Sequence, residues 1–417
     1  MPVISRTVPP YIFPVILLGS VFLGGLAGVY CVHILPYLKP WGDIFLNLLF
    51  TLLVPLIFFS TTAAVAKLGS AGYLAKMMLL TAGVFIGTSL IAATLSWFVV
   101  YYFPPGLGVT QILNAVPVSN PTPFLEQLAN LFTVPYFGQL FSHKHILALI
   151  IFSVLTGLAA TRVRTKQNIL AFFQAGEALF LEAFNLLMYF APVGFFCYFA
   201  VLVHELGPQL LQQYIRLTLI YSLFACVYFF GLYSLYAFWA GGREGYKRFW
   251  SGLLLPALTA LTTCSSAASI PANLSAAKEM GHAPEIYETV IPLGSIIHKE
   301  GSVIGGMFKI AFVFGMLQLN FQQPSVVLMA IGVSILVGTV MGAIPGGGML
   351  GELLILSVYG LPPATLMVMV AISIIIDPMA TVLNVTGNTV SSMMITRLIK
   401  GKNYLTRGIN NERCNPN

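Results

Sequence analysis

Four ionisable residues stand inside or beside long apolar runs: Lys299, Glu300, Lys309 and Asp377. A charge in such a place is costly, and where it persists it marks an ion path, a proton relay or a ligand counter-ion. Asp377 follows Ile374-Ile375-Ile376 with no basic neighbour in sequence. Its carboxylate therefore needs a ligand amine, a metal cation, a proton or Lys299 as partner. His298 precedes the Lys299-Glu300 pair, and an unperturbed imidazole titrates near neutral pH. A lone histidine in a polar break is nevertheless more often just hydrogen-bonded. Lys309 reads equally well as a side chain snorkelling from a helix end or as a functional cation. Glu182 and Glu352 are weaker cases, read as interfacial or packed with helix ends.

Three polar interruptions surround these charges. Thr262 to Ser269 holds five hydroxyls and is followed by Pro271; Ala343-Ile344-Pro345-Gly346-Gly347-Gly348 breaks a second apolar region; Asn384 to Thr389 is a polar cluster inside a third. Broken backbone at membrane depth is tolerated only where it is buried in protein or lines a wet cavity. Paired interruptions in transporters point to the binding site, and half-helix N-termini offer backbone N–H groups to an anion such as a carboxylate. The plainer reading, small and hydroxyl residues packing helix on helix, suits any one cluster. Three clusters with ionisable residues nearby favour a binding site.

The elements that must carry these groups follow from composition. The chain has 417 residues, of which 8% are charged and 58% belong to the hydrophobic set, against about 25% charged in a typical soluble protein. So few charges cannot cover a soluble surface of this size. That excludes a soluble enzyme, a disordered chain and a nucleic-acid-binding domain, and leaves a polytopic α-helical membrane protein. Apolar stretches near 11–33, 43–66, 77–103, 144–161, 178–203 and 214–240 are each long enough to span. From about 249 to 400 polar residues interrupt the apolar ones, and 104–143, with Pro104, Pro105, Pro117, Pro121 and Pro123, reads as a loop. Met1 to Pro10 precedes an apolar run with no convincing cleavage site, so the run is expected as a retained first helix.

With the N-terminus inside, alternating sides place Arg6, Lys67, Lys76, Arg162, Arg164, Lys166, Arg243, Lys247 and Arg248 in the cytoplasm. Only Lys39, Lys144 and Arg216 fall outside, at or near span edges. That bias is the expected one for cytoplasmic loops, and the basic tail from Arg397 belongs inside too, so the number of full spans is even. The net charge of +7 is thus membrane orientation and lipid contact rather than a nucleic-acid patch. The five cysteines form no close pair and no metal spacing. The serines show no base-and-orienter constellation, and no nucleotide loop appears, so no enzyme is expected.

The same clusters resemble the signature of the glutamate transporter family, the dicarboxylate/amino acid:cation symporters. The resemblance covers nearly the whole chain and is densest from about 260 to 390. Cys264-Ser265-Ser266 with Pro271 looks like the serine-rich tip of the family's first re-entrant hairpin. His298-Lys299-Glu300-Gly301-Ser302, preceded by Ile291-Pro292-Leu293-Gly294, stands where the family's broken seventh helix reads Asn-Met-Asp-Gly-Thr. Pro345 to Gly348 match the second hairpin tip. Asp377, Ala380-Thr381 and Asn384-Val385-Thr386-Gly387-Asn388 follow the eighth helix, and Asn120 to Phe124 echo a segment before the fourth helix core. The resemblance implies an all-α membrane fold of eight transmembrane helices and two re-entrant hairpins, and an elevator-type homotrimer in the inner membrane with both termini cytoplasmic. It divides the chain into scaffold helices one and two (1–76), transport helix three (77–103), a loop with scaffold helices four and five (104–206), a transport domain (207–400) and a tail (401–417). The second hairpin would be the extracellular gate.

It also implies roles. Asp377 would hold a substrate ammonium, and Asn384 with Ser265 and Ser266 the α-carboxylate, with Pro345, Gly346, Gly348, Ala380 and Thr381 lining the substrate. The family's arginine for an acidic side chain is Ala380 here, which would leave a buried substrate carboxylate unpaired. A small neutral amino acid is therefore expected over glutamate or aspartate, unless Lys299 restores acid recognition. The cation positions fall on Thr81, His298, Lys299, Glu300, Ser302, Asn384 and Asn388. The family's last carboxylate becomes Asn388, its Asn-Met becomes His298-Lys299, and Met78 to Ala82 keeps Thr81 without the usual Tyr and Ser. Lysine offers a hard cation no oxygen and repels it. Either Lys299 substitutes for the cation, or Glu300 with His298 or Lys299 carries a proton; a residual sodium site, unassigned to residues, is the alternative. No cofactor beyond a coupling H⁺ or Na⁺ is expected, and the partners are an amino acid and the bilayer. A sodium-coupled acidic amino acid or dicarboxylate symporter is the runner-up; an uncoupled facilitator or sensor and an anion channel are the other classes.

Overall fold

The computed structural model describes residues 12–67, 72–106, 132–142, 145–206, 209–340, 348–401 and 404. Regular structure among them is helical throughout. It comprises α1 Ile12–Tyr30, α2 Leu35–Lys67, α3 Gly72–Tyr102, a single turn at Phe137–Leu140, α4 Ile146–Arg162 and α5 Lys166–Leu206. Helix α6 Gln209–Val227 passes through a π-helical turn, Tyr228–Leu232, into α7 Tyr233–Gly252. There follow α8 Leu254–Thr263, α9 Ile270–Glu279, α10 Pro284–Ile297, α11 Glu300–Met316, α12 Pro324–Val340, α13 Gly348–Tyr359 and α14 Ala364–Lys400. Met1 to Pro10, Asn120 to Phe124, Pro345 and Gly346 lie outside the described residues.

Five helical stretches among the described residues are long and apolar enough to cross a membrane: Val32–Ala63, Met77–Tyr102, Lys166–Glu205, Gln209–Gly252 and Ala364–Lys400. Helix α5 begins well ahead of its apolar stretch because Lys166, Gln167, Gln174 and Glu177 favour helix without adding hydropathy. Shorter apolar helices fill the region after 250, where the sequence alternates apolar runs with polar breaks.

Helices α1, α2, α4 and α5 pack on one another. In α1, Gly24 and Gly28 form a small-xxx-small face; a Cβ at either would stand within 2.4 Å of the carbonyl oxygens of Phe196 and Ala200 in α5, so the two backbones approach closely. Phe58 and Phe59 of α2 make ring contacts with Phe152 of α4 and with Phe172, Phe173 and Phe180 of α5. The other helices gather around α11, which is buried from Glu300 to Phe314; a helix apolar on all sides belongs inside a core. It packs against α3, α12 and α14. Ile146 N–H donates to Ser357 Oγ at 3.1 Å, fastening α4 to α13.

Tyrosines from α6 and α7 close the core: Tyr214 donates to the Val368 carbonyl at 3.3 Å, Tyr221 to Gly301 at 3.0 Å and Tyr233 to Leu383 at 2.8 Å. The π turn adds a residue to the helical register, and Tyr228, which opens it, and Tyr233, which follows it, are both fully buried.

Lys309 corrects the snorkelling alternative. It lies in the middle of α11, 2% exposed, in an ion pair with Glu352 of α13. Its Nζ also donates to Ser373 Oγ at 2.9 Å, and Ser373 Oγ donates to Glu352 Oε1 at 2.5 Å. Glu352 is fully buried within α13, away from that helix's ends. Each charge is tolerated in apolar surroundings because the other is there.

Candidate functional site

The first interruption is the turn between α8 and α9. Cys264 adopts left-handed backbone, φ 48° and ψ 32°, and its N–H caps the Ala260 carbonyl. Ser265 serves the turn itself: its Oγ accepts from Ala268 N–H at 3.2 Å and its carbonyl accepts the Ser269 hydroxyl at 2.9 Å. Ser266 is buried beside it. Farther along, Asn273 of α9 donates to the Val385 carbonyl at 2.9 Å and accepts from Thr389, so the pair of short helices is pinned to α14.

The second interruption is the α10–α11 junction. His298 and Lys299 are extended, at φ −132° and −139°. Gly301 explains why α11 can start there: a Cβ on it would stand 2.2 Å from the Ala380 carbonyl oxygen of α14. The polar cluster Asn384 to Thr389 makes no break of its own, and α14 runs through it continuously. On α14, Ser373, Asp377, Thr381, Asn384 and Asn388 recur at helical spacing and share one stripe.

That stripe meets α10 and α11 in antiparallel order. Lys309 bonds Ser373. Asp377 accepts the Thr381 hydroxyl at 3.3 Å. Asn384 Oδ1 accepts the Ser302 N–H at 3.2 Å while its amide donates to Ser302 Oγ at 3.1 Å. A side chain of α14 thereby caps one of the unpaired N–H groups that begin α11. His298 Nδ1 donates to Asn388 Oδ1 at 2.9 Å.

The imidazole is enclosed on every side. Its ring stacks on Phe85 at 4.1 Å and 5°, and its Nε2 lies 2.9 Å from Thr88 Oγ1 and 3.3 Å from Glu300 Oε1. Glu300 is fully buried, yet neither of its oxygens accepts an aligned hydrogen bond among the described residues, and Asn388 Nδ2 also has no partner there. Buried polar atoms are rarely left so. With Nδ1–H given to Asn388, the free position is Nε2. A neutral ring accepts the Thr88 hydroxyl there, and a protonated ring turns an N–H toward Glu300, making a neutral imidazolium–carboxylate pair.

The structure thus brings His298, Lys299, Glu300, Ser302, Asp377, Ala380, Thr381, Asn384 and Asn388 together. The helices on either side of the Ser265-Ser266 turn, α8 and α9, both pack on α14. Gly348 begins α13. The Thr81 hydroxyl back-bonds to the Met77 carbonyl at 2.8 Å, and the hydroxyl on His298 is that of Thr88. Sequence reading also passed over Phe85, Tyr233 and Ser373. The i, i+4, i+7 spacing of Thr81, Phe85 and Thr88 is the signal that puts all three on one face. Among the described residues no group of three or more His, Cys, Asp or Glu could hold a metal ion.

Residues 13–398 match the model of the sodium:dicarboxylate symporter family. The chain is similar to the "Proton/sodium-glutamate symport protein" of Bacillus caldotenax, 27% identical over 94% of this chain and 94% of the relative. The protein of the same name from Bacillus subtilis is 26% identical over 91% and 90%. "Neutral amino acid transporter A" of Homo sapiens is 24% identical over 87% of this chain and 76% of its own length.

Proposed function

The chain belongs to the sodium:dicarboxylate symporter family, one of transporters and not of enzymes, and from that premise we propose that it carries a small neutral amino acid across the membrane in symport with a proton. The observation that carries the coupling is the enclosed His298. Its ring fills the space between the Thr88 hydroxyl, the Asn388 amide oxygen and the Glu300 carboxylate. A hard cation needs several oxygens around it, and here the imidazole has taken the two neutral ones. The oxygens around His298 are too few for sodium there, so in this reading the coupling ion at that position is the proton. The proton is held at Nε2, where loading neutralises Glu300 and unloading restores the Thr88 hydrogen bond.

Asp377 receives the substrate ammonium, held in place by the Thr381 hydroxyl. The backbone at the start of α11 and the turn at Ser265-Ser266 receive its carboxylate, with Asn384 fixing that helix start. Ala380, 5% exposed and against Gly301, offers no cation to a second carboxylate, which supports a neutral substrate. In this reading the protein is an elevator-type homotrimer of the inner membrane with both termini cytoplasmic. Scaffold helices lie in 1–76 and 104–206, transport helix three in 77–103, the rest of the transport domain in 207–400, and the second hairpin gates from outside.

Uptake of labelled amino acids into proteoliposomes, with proton and sodium gradients imposed separately, tests this. A neutral amino acid accumulates under the proton gradient alone. His298→Gln, which keeps hydrogen bonding but not protonation, still binds substrate and no longer accumulates it. Sodium-driven glutamate uptake, the activity in the name of the Bacillus relatives, overturns both halves. Binding without accumulation under either gradient makes the protein a facilitator or sensor.

Ala380→Arg gives a separate expectation. A guanidinium there pairs with an acidic substrate side chain, so the ratio of aspartate to alanine affinity rises by at least about tenfold, as for one good charge-assisted pair. Competition binding reads it, and an unchanged ratio removes Ala380 from the substrate's side-chain pocket.

A further inference from the structure

A groove of about 850 Å³ opens between α7 and the end of α14. Leu235, Phe238 and Trp239 wall it on one side, Met394 and Arg397 on the other. Leu235 and Phe238 are more than half exposed, as apolar side chains facing lipid are. At its end α7 breaks: Gly241 and Gly242 are non-helical, Gly242 with φ 63° and ψ −149°. The break turns the next segment, which carries Arg243 and Lys247, both exposed.

The Arg397 guanidinium lies over the Trp239 ring, 4.5 Å from its centroid. Stacking uses the face of the guanidinium and leaves its edge, with its fork of N–H donors, for an anion. Among the described residues the ion pairs at this end are Arg248 with Glu244 and Lys400 with Glu285. Neither takes Arg397, Arg243 or Lys247. An apolar trough thus ends in a basic mouth beside an interfacial tryptophan, on segments whose charges put them at the cytoplasmic face.

We propose that this groove binds one anionic phospholipid of that leaflet, acyl chain along Leu235 and Phe238 and phosphate at Arg397 and Arg243. Charge complementarity selects this occupant. The chain's own tail carries Lys402, Arg407 and Arg413 against Glu412, and a second copy would bring the same arginines, so both meet like charge. The inference uses the membrane reading but neither the substrate nor the coupling ion, so it stands or falls apart from them.

Native mass spectrometry of delipidated protein titrated with dioleoylphosphatidylglycerol or dioleoylphosphatidylcholine tests it. The phosphatidylglycerol binds tighter. Arg397→Gln and Arg243→Gln each weaken it about fivefold, the loss expected for one basic residue near an anionic headgroup, and leave phosphatidylcholine binding as it was. Arg243 is exposed, so its variant keeps the test valid if Arg397→Gln fails to fold. Equal binding of the two lipids, variants that bind phosphatidylglycerol unchanged, or a photo-crosslinker at Leu235 that captures a second copy of the chain in place of lipid would each overturn the assignment.

Discussion

Asp377→Asn abolishes amino acid binding while leaving the protein folded. The amide keeps the shape of the carboxylate and can still accept the Thr381 hydroxyl, so packing against α11 is preserved. What disappears is the charge that meets the substrate ammonium. Truncating one partner of a buried, hydrogen-bonded charge pair weakens binding by about 2–5 kcal/mol, so affinity falls by at least about 30-fold. Calorimetric titration with the transported amino acid measures the loss, and thermal unfolding of the variant checks the fold. An unchanged affinity in a folded variant takes Asp377 out of the site. The side chain would then serve to hold the Thr381 hydroxyl, and the polar stripe of α14 would be scaffolding.

The second large effect is on stability. Lys309→Met leaves Glu352 buried with no cation, and breaking a buried pair from one side destabilises by about 3–5 kcal/mol. The variant is expected to lose most of its folded yield or to unfold at a markedly lower temperature in detergent. Lys309→Met combined with Glu352→Leu recovers most of the loss, because an apolar pair of similar volume is often as stable as the ion pair it replaces. Ser373, left without either charge, can turn its hydroxyl to its own helix backbone. If the single and double variants are equally unstable, the pair is not what Lys309 contributes.

These outcomes show what a linear sequence conveys. The α14 stripe is legible because Asp377, Thr381, Asn384 and Asn388 repeat at helical spacing, and their side must be the polar one. The break at His298-Lys299 announces itself through charges in an apolar run. The partners are another matter. His298 meets Thr88 across 210 positions and Lys309 meets Glu352 across 43, and no local pattern encodes such pairs. Helix α3 shows the limit: Thr81 and Thr88 share a face, and which one reaches His298 depends on how far α3 is raised against α10. Lys309 misled for a related reason. Position in an apolar run does not distinguish a cation near a helix end from one neutralised by a carboxylate on another helix. The tip at Pro345 and Gly346 lies outside the described residues, so its part in the site stays with the resemblance.

The antiparallel pairing of α14 with α10 and α11 has a mechanical side. Lys309 with Ser373, Ser302 with Asn384 and His298 with Asn388 are fixed at separate heights along the same two rods, and the close backbone approach at Gly301 leaves no slack between them. Sliding one rod by a helical turn, about 5.4 Å, would break every rung at once. Each buried donor or acceptor left behind would cost about 1–3 kcal/mol. The two rods therefore behave as one stiff beam with a ratchet's teeth engaged. Whatever travels during a transport cycle must carry that beam whole, and the give in the machine must be found at its edges.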